Sequence, residues 1–236
     1  ELEQQASDLL LQWEHGDMKT LALWKKMNSW ALKGFHETYR LLGFSHDKIY
    51  YESDTYKEGK QLVLQGLRKG LFQRNADGAI VVDLTQEGLG EKVLLRADGT
   101  SVYITQDLSL AIKRYHDFAM SQMIYIVGNE QIHHFKVLFA LLHLLKKNFA
   151  SSCYHLAYGM VNLPEGKMKS REGLVVDADD LLTEMISLAQ KEVEKRSFRL
   201  PKKEILKRSH IIGLGALRFF ILKVDPSKDI LFNPKE

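Results

Sequence analysis

Residues 164–176 read PEGKMKSREGLVV. Lys167, Lys169 and Arg171 occupy every second position between Glu165 and Glu172, with Gly166 and Gly173 at the two ends. Such a stretch is either a solvated hairpin of alternating charge or a mobile loop whose cations stabilise charge on a departing phosphate. Upstream, Asp107 lies two residues beyond the apolar run SVYIT. It is either a helix N-cap or an anion held for a cationic ligand, and position alone favours the cap. Tyr103, near the end of that run, would add a hydroxyl and a flat wall. Gln131 follows YIVG and can offer donors and an acceptor to the same crevice. His133 and His134 are adjacent, so they face different sides of a helix, and no further His or Cys stands at a helix-compatible spacing. Zinc is therefore excluded on spacing. One of the two histidines is expected to pack structurally and the other to border a polar site. GLGAL (213–217) follows no strand signal and has Arg218 where a dinucleotide motif needs its third glycine, so it reads as close helix packing.

These groups need elements to position them. Residues 2–42 have helical periodicity broken at Gly16-Asp17, and Gly43 is a helix stop. KIYYES (48–53) is a short strand candidate, and helical spacing returns from Thr55 to Gly70. Residues 78–84 and 91–96 are β-rich, ADGT (97–100) is a turn signal, and SVYIT (101–105) reads as a strand. A helix follows from Asp107, a strand at 122–128, and a long amphipathic helix from Asn129, which acts as its cap. A strand at 153–163 leads into the charged loop. Helices follow from Asp177 and over the KKEILKRSHIIGLGALRFFILKV stretch, while DILFNPKE reads as a loop. Strands and helices alternating at this spacing predict βαβ units in a parallel, Rossmann-like α/β sheet, with helical segments on either side. The expected divisions are a helical lead-in over 1–75, an α/β half over 76–180 and a helical segment over 181–236. Ligands of such sheets lie beyond the carboxyl ends of the strands, where Tyr103, Asp107, Gln131 and the charged loop all fall.

Bulk properties set limits without choosing a function. A hydrophobic content of 45% suffices for a real core. With 33 cations against 30 anions, the net charge of +3 permits a polyanionic partner but does not establish one. One cysteine excludes an internal disulfide and points to a reducing compartment, the cytoplasm. No stretch approaches the ~18 apolar residues of a membrane span, and the opening ELEQQASDLLLQWEHGD has none of the features of a signal peptide. Both ends read as a piece cut from a longer chain.

Taken together and in order, LLRADGTSVYITQDLSLA, YIVGNEQIHHFKVLF and HLAYGMVNLPEGKMKSREGLVV resemble the second half of the catalytic domain of arginyl-tRNA synthetases, which are class I synthetases. The helical WEHGDMKTLALWKKMNSWALKGFHETYRLLG looks like that family's approach to these motifs. The resemblance implies activation of arginine with ATP, magnesium accompanying the nucleotide and no protein-bound metal. Transfer to the 3′ end of tRNA(Arg) follows, with no membrane and no DNA involved. It assigns Tyr103, Asp107 and Gln131 to the substrate guanidinium, a planar fork that suits a carboxylate and planar acceptors. Gly159, Met160 and Val161 match the stretch against adenine, and His134 a histidine near the nucleotide. The charged loop takes the place of the KMSKS signature. Lys167-Met168 match its first two positions, Lys169 replaces a serine, Ser170 the second lysine, and Arg171 stands last. Lys167, Lys169 and Arg171 are all candidates for the pyrophosphate contact. The class also uses a His-x-Gly-His motif, which none of the nine histidines begins or ends. The expectation is half a catalytic domain, inactive alone. The competing reading is a synthetase-like paralogue serving as a non-catalytic binding module.

Overall fold

The computed structural model describes residues 2–162, 177–196 and 199–233. Its helices are α1 (Leu2–Glu14), α2 (Met18–Leu42), α3 (Glu52–Arg68), α4 (Tyr103–Phe118), α5 (Ile132–Leu144), α6 (Ala178–Arg196) and α7 (Lys202–Leu222). Its strands are β1 (Gln73–Arg74), β2 (Ile80–Leu84), β3 (Gly90–Leu95), β4 (Met123–Gly128), β5 (Cys153–Tyr158), β6 (Val161–Asn162) and β7 (Ile230–Leu231). Contacts group the chain into two units, Glu1–Asp47 with Val175–Leu217, and Lys48–Leu174 with Arg218–Glu236.

The first unit is helical. Gly16, at φ 82°, and the Asp17 cap break α1 from α2. The Asp17 carboxylate accepts the Thr20 N–H at 2.8 Å, and this bond with the Thr20 hydroxyl holds its carboxyl below the usual carboxylate range. Gly43 closes α2 in the left-handed conformation. Gly213 lets α7 close on α6, since a Cβ there would stand 2.9 Å from the Ile186 backbone, whereas one at Gly215 would meet nothing.

The second unit carries one apolar core. An antiparallel sheet in the order β1-β2-β3 contributes Ile80, Val82, Leu94 and Leu95, and α3, α4 and α5 cover it with Val63, Leu108 and Leu138. β4 and β5 pair in parallel, joined by the α5 crossover, which makes the βαβ unit expected of an α/β fold. Along β4, Met123 and Tyr125 are buried while Ile124 and Ile126 are exposed, so one face of the pair lies on the core. At Gly59, α3 approaches α4 so closely that a Cβ would stand 2.5 Å from the Thr105 carbonyl oxygen. The same two helices are tied where Ser109 donates to the Thr55 carbonyl at 3.2 Å.

Several elements differ from their sequence signals. SVYIT is not a strand: Ser101 makes only a bridge to Leu95, and α4 begins at Tyr103. Its β-branched residues yield to burial, because Ile104, Thr105, Leu108 and Ala111 face the core at helical spacing. The 48–53 stretch is not a strand either. Lys48 and the Tyr50 hydroxyl both bind Asp117, and α3 starts at Glu52. Asn129 does not cap a long helix but opens a 3₁₀ turn, Asn129–Gln131, ahead of α5. The 153–163 strand breaks at Gly159 and Met160, and the terminal stretch read as a loop holds β7, paired in parallel with β6.

Candidate functional site

Tyr103 and Asp107 stand four residues apart on α4, one above the other on a single face. Asp107 is therefore not an N-cap. It lies in the second turn, and Val102 takes the cap position without a side-chain hydrogen bond. Gln131 ends the 3₁₀ turn at the carboxyl end of β4, and His134 follows one turn later on α5. The two pairs meet where His134 Nε2 lies 2.6 Å from Asp107 Oδ2. A carboxylate here accepts from the ring, which leaves Oδ1 as the oxygen available to a further donor. The Asp107 side chain is 40% exposed and that of His134 25%, so solvent and ligand can reach the pair. Tyr103 is open, at 76% exposure. His133 is exposed on a different side of α5.

Beneath this group the floor is aromatic. Phe135 lies edge-on to His134 at 5.7 Å and against His155 at 4.3 Å, and the Tyr125 ring sits 4.9 Å from it. Burial pushes the Tyr125 phenol well above its ordinary range, and its hydroxyl donates to the Met123 sulfur. It therefore stays protonated and serves as packing.

Gly128 and Tyr158, the last residues of β4 and β5, lie opposite each other, and the Met160 sulfur reaches to 3.9 Å from where a Gly128 Cβ would stand. The stretch beyond β5 is committed within the chain. Gly159 N–H donates to the Pro226 carbonyl at 2.7 Å, and Met160 N–H to Asp229 Oδ1 at 2.7 Å. Ile230 N–H donates back to the Met160 carbonyl at 2.8 Å. The N–H groups of Gly159 and Met160 thus already have partners within the chain. Sequence reading missed Pro226 and Asp229 altogether. The Asp-Pro pair at 225–226 signals a turn, but nothing local says that the turn faces a strand end 69 positions away. Lys167, Met168, Lys169 and Arg171 lie outside the described residues.

A βαβ crossover with its polar side chains gathered beyond the carboxyl ends of the strands is the layout of a class I synthetase catalytic fold. The family description "tRNA synthetases class I (R), catalytic domain" matches residues 1–233, and the chain belongs to that family. It is 54% identical over 235 residues to the arginine–tRNA ligase of Parabacteroides distasonis, covering 98% of this chain and 39% of that one. Against the Bacteroides thetaiotaomicron arginine–tRNA ligase it is 53% identical over 237 residues, covering 100% of this chain and 40% of the relative. The chain therefore spans about two fifths of the length of these relatives. Among solved structures, the arginyl-tRNA synthetase of Plasmodium falciparum superposes with a TM-score of 0.81 at 20% identity over 99% of this chain and 39% of that one. The Thermus thermophilus arginyl-tRNA synthetase gives 0.73 at 22%, over 95% and 45%. These two likenesses show the fold.

Proposed function

We propose that this chain is the arginine-recognising part of an arginyl-tRNA synthetase acting in the cytoplasm. The observation that carries the reading is the contact between Asp107 on α4 and His134, one turn beyond the end of β4, in a chain 54% identical to an arginine–tRNA ligase. In the reaction, the arginine carboxylate attacks the α-phosphate of ATP, forming arginyl-adenylate and releasing pyrophosphate. The arginyl group then passes to a terminal ribose hydroxyl of tRNA(Arg), releasing AMP. Asp107 supplies the negative charge for the guanidinium through Oδ1, the Tyr103 hydroxyl and the Gln131 amide flank it, and a lysine point charge would leave part of this set unpaired.

Met160 and Val161, with Gly159 behind them, lie against adenine. His134, held on Asp107, stands between the arginine side and the nucleotide side. Lys167, Lys169 and Arg171, with Met168, belong to the loop that neutralises pyrophosphate. Magnesium arrives with ATP as part of the substrate. Among the described residues, no cluster of three His, Cys, Asp or Glu side chains is placed to hold a metal.

The test is arginylation of tRNA(Arg) by the full-length protein that carries this chain. Arginine is expected to be incorporated and lysine to be rejected. Binding of arginine or tRNA without any transfer would instead support the non-catalytic paralogue.

A further inference from the structure

We infer that Asp229, with the turn that carries it, is a positioning residue that clamps the end of β5 and so sets the nucleotide side of the site. This inference rests on the reading of residues 159–161 as the adenine-side stretch. β6 and β7 pair over only two residues on each strand. The rung just before that ladder is made by a side chain, the Asp229 carboxylate accepting the Met160 N–H. Three main-chain bonds surround it: Gly159 N–H to Pro226 O, Ile230 N–H to Met160 O, and Phe232 N–H to Asn162 O, at 2.7, 2.8 and 2.7 Å.

The two segments are pressed together. Gly159 is buried, and a Cβ there would collide with the Lys228 carbonyl, so a glycine is needed for this approach. The clamp is itself anchored. Asp225 accepts the Ser227 N–H at 2.8 Å and its hydroxyl at 2.5 Å, which shapes the turn and holds the Asp225 carboxyl below its usual range. Phe232, only 1% exposed, lies edge-on to Phe220 at 5.1 Å. Met160, fixed in this way, reaches Gly128 at the end of β4. Asp229 therefore acts on the strand ends through Met160, and none of its bonds involves Tyr103, Asp107 or Gln131.

The experiment compares Asp229→Ala and Asp229→Asn in the full-length protein. Asn keeps an acceptor oxygen in the same place, whereas Ala leaves the Met160 N–H without its charged partner. Two readouts are taken: kcat/KM for ATP and for arginine in tRNA arginylation, and hydrogen exchange of the peptide spanning 159–162. Asp229→Ala should lower kcat/KM for ATP by about tenfold or more, leave KM for arginine within about twofold, and speed exchange of the Met160 amide. Asp229→Asn should restore both readouts to within about threefold of wild type. Should the Ala variant not fold, Asp229→Glu, which displaces the carboxylate by one methylene, carries the same comparison. Equal losses for ATP and arginine, an unchanged ATP parameter, or an Asn variant no better than Ala would overturn the inference. If wild type does not arginylate tRNA, the proposed function fails, while the exchange rates still decide whether Asp229 clamps Met160.

Discussion

Asp107→Ala in the full-length protein is the sharpest perturbation of the arginine side. Its size follows from the geometry. A hydrogen bond to a charged partner is worth about 1.5–3 kcal/mol net, and each ~1.4 kcal/mol is a factor of ten in affinity. Two features place Asp107 in the lower part of that range. Oδ2 is occupied by His134, so the guanidinium meets one free oxygen rather than a bidentate fork. The side chain is also 40% exposed, and solvent screens the pair. The expected loss is therefore about 1.5–2 kcal/mol, or roughly 10- to 30-fold in kcat/KM for arginine. KM for ATP should change less than the arginine parameter, because Asp107 reaches the nucleotide side only through His134.

The assay is steady-state arginylation of tRNA(Arg) with arginine and ATP varied separately. His134→Gln is the companion variant. It keeps an N–H donor near the Nε2 position, so Asp107 stays oriented and the arginine parameter should fall by only about threefold. His134→Ala, with no donor, should cost more. An Asp107→Ala enzyme whose arginine parameter stays within twofold of wild type would remove Asp107 from the pocket. A fall shared equally by ATP would show that α4 had been disturbed as a whole.

Two further outcomes follow from the packing. Gly59→Ala gains about 1 kcal/mol of helix propensity but drives a methyl into the Thr105 carbonyl, an overpacking cost of about 1–3 kcal/mol. The second unit should lose stability in urea unfolding, and a variant as stable as wild type would mean that α3 moves aside freely. Cys153 is partly buried, and desolvation raises its thiol to about 11. At pH 8 its thiolate fraction is only ~10⁻³, so its peptide should alkylate with iodoacetamide about 100-fold more slowly than a free cysteine, the rate climbing as pH rises. A free-cysteine rate at pH 8 would contradict the burial.

What the sequence made legible was the local part of this fold. Helix breaks at Gly16-Asp17 and Gly43, the β4 run and the α5 periodicity are written in neighbouring residues, and each was found. Gln131 does follow the end of a strand, β4, whereas Tyr103 and Asp107, read as standing at the end of one, lie within α4. Val102, Ile104 and Thr105 give SVYIT a strand's composition, and a strand would turn alternate residues to opposite faces. The helix prevails because burying Ile104, Thr105, Leu108 and Ala111 against the core outweighs a propensity scale spanning only about 1 kcal/mol. That outcome has a chemical consequence. As a helix the chain brings Tyr103 and Asp107 to adjacent turns of one face, about 6 Å apart along the axis, where a strand would hold them about 13 Å apart.

The strand end after Tyr158 was illegible for a different reason. Its residue types, Gly-Met-Val, do not say where its backbone N–H groups find partners. Whether a donor is free is settled by whatever chain arrives from elsewhere, here the Pro226 carbonyl and the Asp229 carboxylate. Gly159 illustrates the ambiguity in one residue. A glycine at a ligand's edge and a glycine under a crossing backbone look identical in a sequence, since both exist to let something approach. The collision a Cβ would suffer with Lys228 identifies the approaching group as the chain's own backbone, so the constraint on Gly159 comes from the 225–232 segment even before any nucleotide binds.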